Sequence, residues 1–102
     1  MTGVQTCAFR SLSALTGLRE QINQLDAEVM QLLGRRMAVA EKIGQYKRDN
    51  DITILQTNRW NEVLERSQRQ GHTLGLTPEF VQRYLEAVHL ESINRQNKVM
   101  NS

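Results

Sequence analysis

One cysteine, one proline and an aromatic content of 5% leave little material for several fold classes. The single thiol, Cys7, excludes an intrachain disulfide framework and fits a reducing compartment. Scarce proline and aromatics argue against a β-sandwich and toward helix. The two histidines, His72 and His89, have no companions at ligand spacing, so no metal is expected and both read as ordinary surface or helix-end residues, and the sequence offers no convincing site for another cofactor. No run approaches the roughly 18 apolar residues of a membrane-spanning helix. Nothing resembles a secretory signal, so a cytoplasmic protein without a membrane partner is expected. The net charge is only +2, with basic and acidic residues interspersed, which gives no reason to expect nucleic acid as a partner.

What the chain does have is a long apolar seam at helical spacing. Alternating steps of four and three residues give Leu18, Ile22, Leu25, Val29, Leu32, Arg36, Val39, Ile43 and Tyr46, a heptad pattern interrupted only by the arginine. An unpaired buried cation costs several kcal/mol, so a carboxylate sits opposite Arg36 or the position is kept for an anionic ligand. Lys47 favours the ligand. It lies about three turns beyond Arg36 on nearly the same face, roughly 16 Å along the axis, so the two side chains can converge on one small anion. Arg19 flanks the same seam but is roughly 42 Å from Lys47 on a straight helix. One chain cannot join them, whereas two antiparallel copies related by a two-fold axis place Arg19 of one near the Arg36 and Lys47 end of the other. A chain of 102 residues buries a limited core alone, which also suits a dimer.

Three helices and two connections organise the chain. Residues 1–11 lack either periodicity, and Gly3–Ala8 (GVQTCA) resembles translated adapter text. They are read as a disordered leader of doubtful origin, ahead of a domain at residues 12–102. The first helix is expected from near Ser13 to about Asp49. DNDITILQ at 49–56 then interrupts helix with turn formers and β-branched residues. A second helix spans about Thr57 to Gln70, with Gly71 as its C-terminal stop. Thr77 as N-cap and Pro78 in the first turn open a third, which carries Val81, Leu85 and Val88 on one stripe. Continued, that stripe reaches Ser92 and Gln96, two neutral hydrogen-bonding groups where core residues belong, unless the helix has simply left the core. Arg59 near the start of the second helix reads, by itself, as a solvated charge.

These residues, taken together, resemble the all-helical chorismate mutases. The segments that carry the resemblance are LREQINQLD at 18–26, LLGRRMAVAEKIGQYK at 32–47, ILQTNRW at 54–60, GLTPEF at 75–80 and ESINRQ at 91–96. Arg19, Arg36, Lys47, Arg59, Ser92 and Gln96 match the family in order and spacing without a gap. The wording ITILQTNRW and HLESINRQ is most similar to mutase domains fused to, or paired with, the DAHP synthase that opens the shikimate pathway. The resemblance implies an all-α fold of three helices with a long first helix, assembled as an intertwined antiparallel homodimer with two shared sites. It also implies the rearrangement of chorismate to prephenate in phenylalanine and tyrosine biosynthesis.

That reaction is an intramolecular Claisen rearrangement, so the enzyme's tasks are to hold a flexible dianion compactly and to stabilise charge on the ether oxygen. Carried over by the resemblance, Arg36 and the Arg19 of a second subunit grip carboxylates, Lys47 and Gln96 donate to the ether oxygen, and Arg59 and Ser92 complete the carboxylate shell. Gln56 falls where some relatives carry an acid near the substrate hydroxyl. Trp60 departs from the pattern, standing where relatives carry a glutamate that bonds that hydroxyl. The contact is lost, replaced by backbone or Gln56, or supplied through a shift involving Glu62; Trp60 itself is expected to pack against the first helix. Two other readings stay open: an isochorismate pyruvate lyase using the same cationic pocket, and a noncatalytic docking or regulatory module for a DAHP synthase.

Overall fold

A computed structural model describes the backbone of residues 2–53 and 57–102 and the side chains of residues 11–53 and 58–102. The described residues form three helices, α1 (Thr2–Asp49), α2 (Thr57–Thr73) and α3 (Pro78–Met100), with no strand among them. The all-α expectation therefore holds. None of these helices is long and apolar enough to cross a membrane.

α1 begins at Thr2, ahead of the start expected near Ser13, and its helical backbone runs through most of the stretch read as a leader. No proline interrupts residues 2–49, so nothing local forces a later start. Its last turn carries Lys47 and Arg48, cations that suit the negative end of the helix dipole. The stop follows at once. Asp51 adopts φ 55°, and the Ile52 N–H reaches back to the Lys47 carbonyl at 2.9 Å. A short polar side chain tolerates that left-handed conformation better than most.

α2 runs past the expected end at Gln70, and its stop is Gly75 rather than Gly71. Gly75 takes φ 78°, its N–H bonds the His72 carbonyl at 3.2 Å, and the Leu76 N–H bonds the Gly71 carbonyl at 2.9 Å. This paired capping pattern needs the left-handed residue two positions after the helix, which is where the second glycine lies. Gly71 has a packing role instead: a Cβ there would lie 2.7 Å from Val81 Cγ2, so α2 and α3 approach closely because it has none. α3 opens as expected, with the Thr77 side chain accepting from the Phe80 N–H at 3.3 Å and Pro78 in the first turn.

The chain divides into two compact units, Met1–Arg35 and Arg36–Ser102. In the first, the seam residues Leu18, Ile22, Leu25, Val29 and Leu32 are each 44–58% exposed. In the second, Met37, Ala40, Val81, Leu85 and Val88 form the core. The α1 residues that pack there are a different stripe from the seam, because Val39, Ile43 and Tyr46 remain 43–63% exposed. Ser92 and Gln96 are buried, so α3 has not left the core where its stripe turns polar.

Candidate functional site

A methionine, an alanine and a glycine spaced over about two turns bring α1 against α3 within the second unit. Met37, Ala40 and Gly44 are buried on one face of α1. A Cβ on Gly44 would lie 2.9 Å from Gln96 Cα and 3.2 Å from the Gln96 carbonyl oxygen, so the two backbones meet there. Lys47 follows Gly44 by less than one turn, and the contact therefore delivers its side chain to Gln96. The Lys47 ammonium donates to Gln96 Oε1 at 3.0 Å. With its oxygen engaged, the Gln96 amide keeps its NH₂ as the donating end.

Arg36 is tied to the same helix one stripe-step earlier. Its Nη1 donates to Ser92 Oγ, and Ser92 donates its own proton to the Val88 carbonyl at 2.9 Å, with Met37 Sδ at 3.7 Å. A hydroxyl has one proton, so the backbone bond turns the lone pairs of Ser92 toward the guanidinium. Ser92 thereby orients Arg36. Arg36 is exposed, and among the described residues no carboxylate lies within ion-pair distance of it. The carboxylate alternative for the interrupted seam is thus not met within those residues. On another face Arg95 bridges Glu41 of α1 at 3.2 Å and Glu91 of its own helix at 2.9 Å, an exposed pair of contacts of small energetic weight.

Arg36, Lys47, Arg59, His89, Ser92 and Gln96 line one pocket of about 460 Å³, all of them in the second unit. Val39, Ile43, Val63, Leu85 and Trp60 supply apolar walls. Three cations and no carboxylate line it among the described residues, a donor set matched to a small polyanion with an apolar frame. Burial pulls Lys47 below the usual lysine value of 10.5. Burial, then the nearby charges of Arg36 and Lys47, holds His89 below the ordinary histidine value of 6.5.

Five of the seven candidates named from the sequence thus meet in one place. Arg59 joins them from the first turn of α2 as an exposed side chain at the pocket. Arg19 is exposed within the first unit and is not a lining residue. Gln56 lies outside the described residues. Glu62 is exposed and does not line the pocket. Trp60, expected to pack against the first helix, lays its indole on His89 of α3, with ring centroids 4.5 Å apart and planes at 41°, and lines the pocket together with Val39 and Ile43 of α1. His89 is the lining residue that sequence reasoning passed over as ordinary. Its signal was spacing: it follows Leu85 by four and precedes Ser92 by three, so it shares their side of α3.

The family model described as chorismate mutase type II matches residues 18–97. The chain is similar to the T-protein of Enterobacter agglomerans, 27% identical over 86 residues, which covers 84% of this chain and 23% of that protein. It is also similar to the T-protein of Haemophilus influenzae, at 24% identity over 87 residues (85% of this chain, 23% of that protein). A bifunctional chorismate mutase/prephenate dehydratase of Buchnera aphidicola subsp. Schizaphis graminum is 28% identical over 91 residues (89% and 24%). The chain spans about a quarter of the length of these curated relatives. No solved structure matches it.

Proposed function

The chain belongs to the chorismate mutase type II family, and from that membership we propose that it converts chorismate to prephenate in phenylalanine and tyrosine biosynthesis. The observation that carries the reading is the convergence of Arg36, Lys47, Arg59 and Gln96 on one pocket that no carboxylate lines among the described residues. Chorismate is a dianion whose rearrangement breaks an ether C–O bond as a C–C bond forms, with no covalent intermediate on the protein. Arg36 and Arg59 hold carboxylates, and Ser92 keeps Arg36 in place. Lys47 and the Gln96 NH₂ donate to the ether oxygen, where negative charge gathers in the transition state. The Lys47 to Gln96 bond supports this pairing, because it fixes both donors relative to one another before substrate arrives.

The active assembly is an antiparallel homodimer in which Arg19 of a second copy completes the carboxylate shell of each site. Two observations support it: Arg19 is exposed within its own unit, and the apolar seam that carries it is exposed from Leu18 to Leu32. Gln56, in the segment before α2, contributes near the substrate hydroxyl. Residues 12–102 constitute the mutase domain and residues 1–11 a leader of doubtful origin. The setting is cytoplasmic. Pairing with a DAHP synthase is supported by the wording of ITILQTNRW and HLESINRQ; the relatives named above are T-proteins and a mutase/dehydratase.

The test is turnover of chorismate, followed by loss of its diene absorbance, with the product identified by chromatography and isochorismate run in parallel. Prephenate is the expected product. Pyruvate from isochorismate without chorismate turnover would transfer the pocket to a lyase, and no reaction with either would leave a docking role.

A further inference from the structure

The pocket is rich in donors and poor in acceptors. Arginine and lysine side chains only donate, and Arg36, Lys47 and Arg59 supply all the charge among its described lining residues. The two neutral groups with oxygen atoms each have one lone pair committed to a cation: Ser92 Oγ accepts from Arg36 and gives its proton to Val88, and Gln96 Oε1 accepts from Lys47. The indole of Trp60 is a donor only. A ligand with carboxylates and an ether oxygen is served by these donors, but a ligand hydroxyl also needs somewhere to place its proton.

Among the described lining residues, His89 is the side chain whose acceptor is not shared with a cation. A neutral imidazole carries one donor nitrogen and one acceptor nitrogen. Its backbone is set by α3, one turn beyond the buried Leu85, and its ring is backed by Trp60 of α2 at 4.5 Å. Two helices thus define where the ring lies, and rings fixed in this way discriminate better than mobile side chains. We propose that His89 is a specificity-determining residue that accepts the hydrogen bond of the substrate's ring hydroxyl, with Trp60 as the residue that positions it. The inference rests on the reading of the pocket as a chorismate site. The protonation state agrees with the geometry: burial together with Arg36 and Lys47 favours the neutral ring, and Arg59, lining the same pocket from α2, adds a charge of the same sign.

The experiment compares chorismate with its analogue lacking the ring hydroxyl, using the full chain and its His89→Leu, His89→Gln and Trp60→Phe variants, each checked for helical circular dichroism. His89→Leu is expected to raise KM for chorismate about tenfold, the loss of one hydrogen bond to a neutral group, while leaving KM for the deoxy analogue nearly unchanged. His89→Gln, which keeps an acceptor, recovers most of the preference, and Trp60→Phe loses part of it. In the unmodified protein the preference for chorismate over the analogue declines on acidification, because a protonated imidazole has no acceptor, and it stays flat in His89→Gln. Equal losses on both substrates, or none on either, would overturn the assignment and leave Gln56 or backbone to receive the hydroxyl. An unmodified chain that turns over neither substrate would remove the chorismate reading and this inference with it, whereas normal turnover with an indifferent His89→Leu removes the inference alone.

Discussion

Residues 18–32 and residues 37–96 solve the same problem, an apolar surface in water, in different ways. The later region buries Met37, Ala40, Val81, Leu85 and Val88 within one chain and adds a pocket at the polar end of the α3 stripe. The earlier region carries Leu18, Ile22, Leu25, Val29 and Leu32 in strict heptad order and leaves all five largely exposed. Five large side chains aligned on one face form a contiguous patch of the kind that marks an association surface. The difference teaches that periodicity reports which face is apolar and says nothing about who covers it.

The largest expected effect separates chemistry from folding. Lys47→Ala should lower kcat/KM by about a hundredfold to a thousandfold, the usual consequence of removing one donor to a developing oxyanion, with helical circular dichroism retained. Near-normal turnover in that variant would detach the pocket from the reaction. Next comes a test that joins the two regions. Arg19→Ala and Lys47→Ala chains, each nearly inactive alone, should recover about a quarter of full turnover when mixed equally and allowed to exchange, since half of the dimers then hold one intact site of two. No recovery despite demonstrated exchange would mean that each chain builds its own site.

Leu25→Asp addresses the earlier region directly. On a free surface such a change stays within about 0.5 kcal/mol, whereas in an interface it places a carboxylate among leucines and should yield monomers by light scattering. A variant with unchanged mass and thermal midpoint would refute the seam as an interface. Gly44→Ala probes the later region at the α1 to α3 contact. Its Cβ meets Gln96 backbone rather than a movable side-chain tip, so destabilisation of about 1–3 kcal/mol is expected in urea melts, together with a fall in kcat as Lys47 and Gln96 separate.

The smallest effect concerns pH. The folded chain holds His89 below its ordinary 6.5, so the unfolded chain binds the proton more readily. Stability is therefore complete above 6.5 and declines as pH falls through that value, levelling off below the lower folded value. His89→Leu should flatten that part of the thermal midpoint profile; an unaltered slope would show that His89 is not its source.

Helix positions and types were legible in the sequence because Thr77, Pro78 and the 3.6-residue stripes act locally. The extents were less so. Gly71 and Gly75 are both plausible stops, and only the approach of Val81 shows that the first is there for packing. Within the pocket, Arg36, Ser92 and Gln96 announced themselves by standing where apolar residues belong, and Lys47 by lying about three turns beyond Arg36 on nearly the same face. Arg59 and His89 did not, because a charge near a helix start and a lone histidine have the same local appearance in a site and on a surface. Gly44 was silent for a similar reason: a small residue in a helix acquires meaning only from the backbone it faces.

The α3 stripe changes character between Val88 and Ser92 without changing its burial. Substitutions on its first turns are judged by volume, and those on its last turns by which atom donates and which accepts. A library varied along this helix should therefore split in two. Hydrophobic exchange is tolerated at Val81, Leu85 and Val88, while at Ser92 and Gln96 folded but inert proteins accumulate. The boundary in such a map would trace the site with no ligand in hand.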